Sequence, residues 1–176
     1  MVLAAAGTLA AAAAPRKLRA QEELQSFGEA FKAADPPRPQ GFLPFTDAEG
    51  TPKKVSDYAG RGLILNMWAT WCVPCVTELP ALDLAARKLA PAGILVLPLS
   101  SDRQGASVVR AFYMSHGIDD LPVMLDPHGE AARSIGARGI PTTLMVDRKG
   151  QELGRLEGAV AWSTDASLDA IRKLLG

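Results

Sequence analysis

Cysteine is scarce in this chain: Cys72 and Cys75 are the only two among 176 residues. A framework of several disulfides is therefore excluded, as is a zinc site of four cysteines from one chain. Histidine is equally scarce. His116 and His128 have eleven residues between them, whereas zinc fingers usually space their histidines by about three to five. Neither histidine falls in a motif, and no metal site is assigned. An excess of charge of one sign is also lacking, with 19 basic and 19 acidic residues and a formal net charge of zero. Nucleic-acid binding is not expected, because it usually leaves a basic face or stripe.

Long hydrophobic runs are missing too. The stretch "MVLAAAGTLAAAAAP" is largely apolar from Val2 to Ala14, short of the roughly 20 residues that cross a bilayer as a straight helix. It fits the apolar core of a signal peptide, and its small residues supply an A-x-A cleavage site. The usual basic segment before it is absent, and "RKLR" (Arg16–Arg19) follows it, an arrangement that does not favour export. Residues 1–15 are read as a signal peptide or truncated membrane anchor, and export is expected.

What is present suffices for one folded unit. The hydrophobic content is 48%, ordinary for a domain with a real core, and the length favours a single domain. "RKLRAQEELQSFGEAFKAAD" reads as a short amphipathic helix, with Leu18, Leu24, Phe27 and Phe31 near helical spacing. "DPPRPQG" (Asp35–Gly41) cannot be helix and reads as a linker. Residues 16–40 are thus expected to be a tether or short helix plus linker, and residues 41–176 the compact domain.

Within that domain, "FLPFTDAEGTPKKVSDYAGRG" reads as a β-hairpin turning at Asp47–Gly50. The runs "GLILNMWAT" and "GILVLPLSS" read as buried strands. "VTELPALDLAARKLA" is helical in composition, with Pro80 expected to kink it. "GASVVRAFYMSHG" is a helix ending near Gly117, followed by a short strand "LPVMLD" and a short helix "GEAARSIGA". "TTLMVD" and "QELGRLEG" form a hairpin, and "STDASLDAIRKLLG" a final helix capped by Ser163 or Thr164. Strand–helix alternation with a closing hairpin predicts an α/β fold with a mixed sheet between helical layers.

The cysteines fall where the first buried strand gives way to helix. Cys72 is expected at or just before the first helical turn, where free N–H groups and the helix dipole stabilise a thiolate and make it the nucleophile. Cys75, three residues on, shares its helical face and can close a small-ring disulfide or resolve a mixed one. Pro74 lies in the first turn, where its missing N–H costs little. Two cysteines can also simply pack as small apolar groups. The spacing at a strand-to-helix junction favours a redox pair.

"LILNMWATWCVPCVTELPAL", "GIPTTLMVDRKGQELGRLEG" and "FTDAEGTPKKVSDYAGR" together resemble the TlpA/ResA/DsbE-like thiol–disulfide oxidoreductases, nearest in character to TlpA. The resemblance covers about residues 42 to 176 and implies a thioredoxin-like three-layer α/β/α fold with an added N-terminal hairpin. It implies Cys72 as exposed nucleophile and Cys75 as resolving cysteine. Pro141 is a strand opener on general grounds, but in such a fold it is a cis-proline facing the cysteines, with the Ile140 backbone offered to an extended client. Trp71 is expected at the mouth of the site, with Val73 and Pro74 beside it. Trp68 is expected in the core, and Trp162 and Tyr58 in packing roles.

Glu78 matches the acidic residue of C-x-x-C-x-x-E. Asn66 stands where thioredoxin has a buried aspartate. A glutamate in a second helical turn is usually solvated, but a buried one would raise the thiol pKa values and suit a reductant.

The resemblance further implies a periplasmic or extracytoplasmic protein, commonly tethered to the inner membrane. It implies clients with disulfides or cysteine pairs in cytochrome or cytochrome oxidase biogenesis. It also implies a membrane electron donor. A monomer is expected, with no cofactor beyond the Cys72–Cys75 disulfide. Three other readings compete. A disulfide oxidase or isomerase would differ in potential. A peroxiredoxin-like peroxidase would need a T-x-x-C threonine, but Thr70 is two residues before Cys72. A Cu(I) metallochaperone would have soft thiolate ligands but lacks a well-placed histidine.

Overall fold

The computed structural model describes residues 24–176. The expectations for residues 1–15 and for the start of the amphipathic helix lie outside the described residues. Among the described residues eight strands form one sheet in the order β1-β8-β7-β4-β5-β6-β2-β3. They are β1 Phe31–Pro39, β2 Pro44–Asp47, β3 Pro52–Lys54, β4 Gly62–Trp68, β5 Ile94–Ser100, β6 Met124–Leu125, β7 Thr142–Val146 and β8 Gln151–Glu157. The helices are α1 Phe27–Ala30, α2 Val73–Leu89, α3 Ala106–His116, α4 Glu130–Ser134 and α5 Asp165–Leu175. The β4/β5 and β5/β6 pairs are parallel and the others antiparallel, the mixed sheet that the alternation predicted.

Every residue of β4 and of β7 is buried, as continuous apolar runs covered on both faces require. Alternation along β4 splits the core. Ile64 and Trp68 pack with Leu79, Leu82, Tyr113, Leu168 and Ile171 from α2, α3 and α5. Leu63, Leu65 and Met67 pack with Leu43, Phe45, Val55, Ala131 and Ile135 on the opposite face. That second layer is built from the short α4, a helical turn at Val55–Tyr58 and the β2–β3 hairpin region. Helix α2 runs unbroken through Pro80. Helix α3 stops where Gly117 takes a left-handed conformation with φ 63°, which costs a residue without Cβ little. Among the described residues no helix is long and apolar enough to cross a membrane.

The linker reading of residues 35–40 is corrected. Phe31–Pro39 is an edge strand, antiparallel to β8, with an irregularity in register between Ala33 and Arg38. An edge strand tolerates prolines because half of its backbone groups face away from the sheet, and Pro36 and Pro37 fall in the irregular stretch. Within the described part of the amphipathic segment the helix is Phe27–Ala30, opened by a reciprocal capping box between Ser26 and Glu29. The folded unit thus reaches back beyond residue 41, with Phe27 and Ala30 in the main core. Gly154 of β8 makes room for this addition, since a Cβ there would run into the Phe31 ring.

Candidate active site at the start of helix α2

β4 ends at Trp68, and Cys72 is the N-cap of α2. Its Sγ accepts a hydrogen bond from the Cys75 N–H at 3.3 Å, satisfying one of the donors that a helix start leaves free. Pro74 sits in the first turn and no acidic residue does. Cys72 and Cys75 form a disulfide with their Cα atoms 5.3 Å apart. Cys72 keeps 6% of its surface and Cys75 none, so the nucleophile expected to be exposed is nearly covered in the disulfide form. Its rim is open: Trp71 is 69% and Val73 76% exposed, and Pro74 is exposed too.

The Ile140–Pro141 bond is cis. The Ile140 carbonyl oxygen lies 3.7 Å from Cys72 Sγ. The Pro141 carbonyl accepts from the Gly158 N–H at 3.0 Å, and Thr142 Oγ1 donates to the Gly139 carbonyl at 2.7 Å. This loop is therefore fixed against the disulfide from both sides.

Glu78 lies one turn beyond Cys75 on α2 and is fully buried. Its Oε1 accepts from Asn66 Nδ2 of β4 at 3.0 Å. Its Oε2 accepts from the Val160 N–H and from Trp162 Nε1, both at 2.8 Å. Asn66 Nδ2 also donates to Thr143 Oγ1 of β7 at 2.9 Å. Burial pushes the Glu78 carboxyl up to about 7, while the donors at Val160, Trp162 and Asn66 pull the other way. A buried acid raised toward neutrality, one turn along the helix from Cys75, can change its charge state under ordinary conditions.

Sequence reasoning brought Cys72, Cys75, Glu78, Asn66, Ile140 and Pro141 to one place, as the geometry does. It missed the donors. Trp162, read as packing, is buried and holds Glu78 through its indole N–H; Val160 and Thr143 were not singled out. Nothing local marks them, because they lie 82 and 84 residues from Glu78 and 77 from Asn66.

A second omission is Asp102, which is buried. Its Oδ2 accepts from the Thr70 N–H at 2.9 Å and its Oδ1 from Thr70 Oγ1 at 2.7 Å. That pair pins the turn just before Cys72. Beside it, a cleft of about 300 Å³ is lined by Trp71, Ser101, Arg103, Pro127, His128 and Gly129.

Residues 30–151 match the family described as AhpC/TSA. Curated relatives include thiol-disulfide oxidoreductase ResA of Bacillus thuringiensis subsp. konkukian, 30% identical over 113 residues that make up 64% of each chain. ResA of Bacillus subtilis is 26% identical over 66% of this chain and 64% of its own. The chain thus spans about 64% of the length of these relatives. Among solved structures, a thioredoxin-family thiol:disulfide interchange protein from Chlorobium tepidum is 27% identical, with a TM-score of 0.63 over 80% of this chain and 97% of that one. A secreted thiol-disulfide isomerase from Corynebacterium glutamicum, 20% identical, shares the fold with a TM-score of 0.67 over 85% of this chain and 95% of that one. The thioredoxin-like fold and the likeness to ResA agree with what the motifs implied, and the chain belongs to the AhpC/TSA family.

Proposed function

We propose that this chain is a thiol–disulfide oxidoreductase that reduces disulfides of client proteins through Cys72 and Cys75. The observation that carries the reading is the cysteine pair at the start of α2 with a buried, hydrogen-bonded acid one turn further on. In the reduced protein, the Cys72 thiolate attacks one sulfur of the client disulfide. That bond breaks, one client thiolate leaves, and a mixed disulfide forms. The Cys75 thiolate then attacks Cys72 Sγ, releasing the second client thiolate and closing the Cys72–Cys75 disulfide. Two electrons pass from the pair to the client, and an external dithiol restores them.

Glu78 accepts the proton that Cys75 loses. Asn66 suits both charge states of the acid, since its amide donates to the carboxylate as it stands and, turned over, accepts from the protonated form. In its charged form Glu78 also opposes thiolate formation, which stabilises the disulfide relative to the dithiolate and favours a reductant. Trp71, Val73 and the Ile140 backbone form the rim that a client segment meets.

A peroxidase reading is less well supported, because the hydroxyl of Thr70 is committed to Asp102. An extracytoplasmic site of action, with clients in cytochrome or oxidase assembly and a membrane donor of electrons, is part of this proposal. It is supported by the apolar first residues and by the likeness to an exposed lipoprotein thioredoxin from Streptococcus pneumoniae, 27% identical with a TM-score of 0.62 over 74% of this chain and 98% of that one.

The test is a Cys75→Ser variant in the native host. It is expected to hold clients as mixed disulfides on Cys72 that reductant releases and mass spectrometry identifies. Failure to trap any client, together with a reduction potential in the strongly oxidising range, would reverse the direction proposed.

A further inference from the structure

Of the three donors to Glu78 among the described residues, two come from one loop, Ala159–Trp162, and that loop is held by the segment that leads into β1. Gln25 brackets Val160: its N–H donates to the Ala159 carbonyl at 3.2 Å, and its carbonyl accepts from the Ala161 N–H at 3.0 Å. Two residues on, the buried Phe27 meets Trp162 edge-on, ring centroids 6.5 Å apart at 71°. Phe31 stacks behind Phe27 at 5.5 Å and covers Gly154 of β8. The same short segment thus grips both donor residues, one by backbone pairing and one by ring contact.

We infer that Gln25–Phe31 is a positioning strap for the buried acid, holding the Val160 N–H and the Trp162 indole N–H on Glu78. The hydrogen bonds on either side of Val160 fix the direction of its N–H, and Phe27 closes the side from which the Trp162 ring would otherwise turn away. Gln25 and Phe27 are positioning residues, since neither hydrogen-bonds the acid and each acts on it through Val160 or Trp162. Their role rests on the reading of Glu78 as the acid beside the thiols.

Among the described residues no charged side chain competes with the strap for control of Glu78. Its titration is governed by burial and by Val160, Trp162 and Asn66. The ionisable groups on the packed elements point elsewhere: Glu29 of α1 caps Ser26 in solvent, and Asp165, Asp169 and Arg172 of α5 are exposed. On α2 itself Asp83 accepts from the Asp120 and Leu121 N–H groups, Arg87 pairs with Asp120, Lys88 is exposed, and the two cysteines are tied up as the disulfide in the oxidised protein. Weakening the strap leaves the burial supplied by α2, β4 and β7 and loosens donors that favour the charged form, so the acid should bind its proton more tightly.

The experiment uses the oxidised chain of residues 1–176, so it is independent of client reduction: a failed reductase assay would leave it standing. Nuclear magnetic resonance follows exchange of the Val160 amide and Trp162 indole protons and the titration of the Glu78 carboxyl. Phe27→Ala removes the ring contact, and Gln25→Pro removes the backbone donor without touching the core. Phe45→Ala, on the opposite face of the sheet, controls for general destabilisation. Both strap variants are expected to speed exchange of the two protons by about tenfold or more relative to other core amides. They are also expected to move the Glu78 midpoint upward by about half a pH unit or more, with Phe27→Leu restoring part of both. Unchanged exchange, a midpoint that stays or falls, or the same response in Phe45→Ala would overturn the proposal.

Discussion

A carboxyl group whose midpoint is pushed up to about 7 by burial is poised between two charge states under ordinary conditions. Unfolded, Glu78 titrates near its usual 4.5. Between these values the folded protein keeps a proton that the unfolded chain has lost, so stability falls as pH rises from about 4.5 to about 7 and levels off above. The size is on the order of 3 kcal/mol, because each tenfold change in proton affinity is worth about 1.36 kcal/mol. Urea unfolding of the oxidised protein across this range should show the decline, and Glu78→Gln should flatten it. The same substitution removes a negative charge close to the thiols, so the Cys72 thiol should titrate lower in the reduced protein. Thiolate absorbance against pH measures it, and an unchanged midpoint would remove Glu78 from the chemistry.

At the scale of elements, the turn from β4 into α2 decides where Cys72 sits. Asp102, just past the end of β5, holds it by accepting two hydrogen bonds from Thr70, and is itself fixed by a third from Ser100 Oγ at 2.8 Å. Asp102→Ala leaves the Thr70 N–H without that partner and should destabilise the protein by about 1–3 kcal/mol. The urea midpoint should fall while the slope of the transition stays the same. Client reduction should slow as well, because Cys72 follows that turn by two residues. A variant that lost stability but kept full activity would show that the pin serves the fold alone.

Across the whole molecule, order should grade outward from the strands around the disulfide. β4 and β7 are buried along their full length, whereas β1 is largely exposed and irregular beside its prolines, and β3 is a short free edge. Amide exchange should therefore be slowest in β4, β5 and β7 and fastest at Lys53 and Lys54 of β3 and at Ala34 and Asp35 of β1. A protected β3 would mean that this edge is paired with something in solution.

The order of strands and helices from Pro44 onward, the helix start at Cys72 and the pairing of Cys72 with Cys75 were all legible in the sequence. Each rests on local pattern: apolar runs, a cap, a three-residue spacing within one helical turn. Three features were decided only by tertiary structure. The prolines of residues 35–40 suggested a linker, yet a vacant edge beside β8 accepts a strand that such residues do not forbid. Glu78 looked like a solvated helix residue as readily as a buried one, and its burial follows from how α2, β4 and the Ala159–Trp162 loop close over it. Trp162 had the composition of a core residue, and its role as donor depends on a partner 84 residues away. Hydrophobic periodicity records which face of an element is covered, but hydrogen bonds between distant segments leave no such period, so the cysteines could be found from the sequence and the network that tunes them could not.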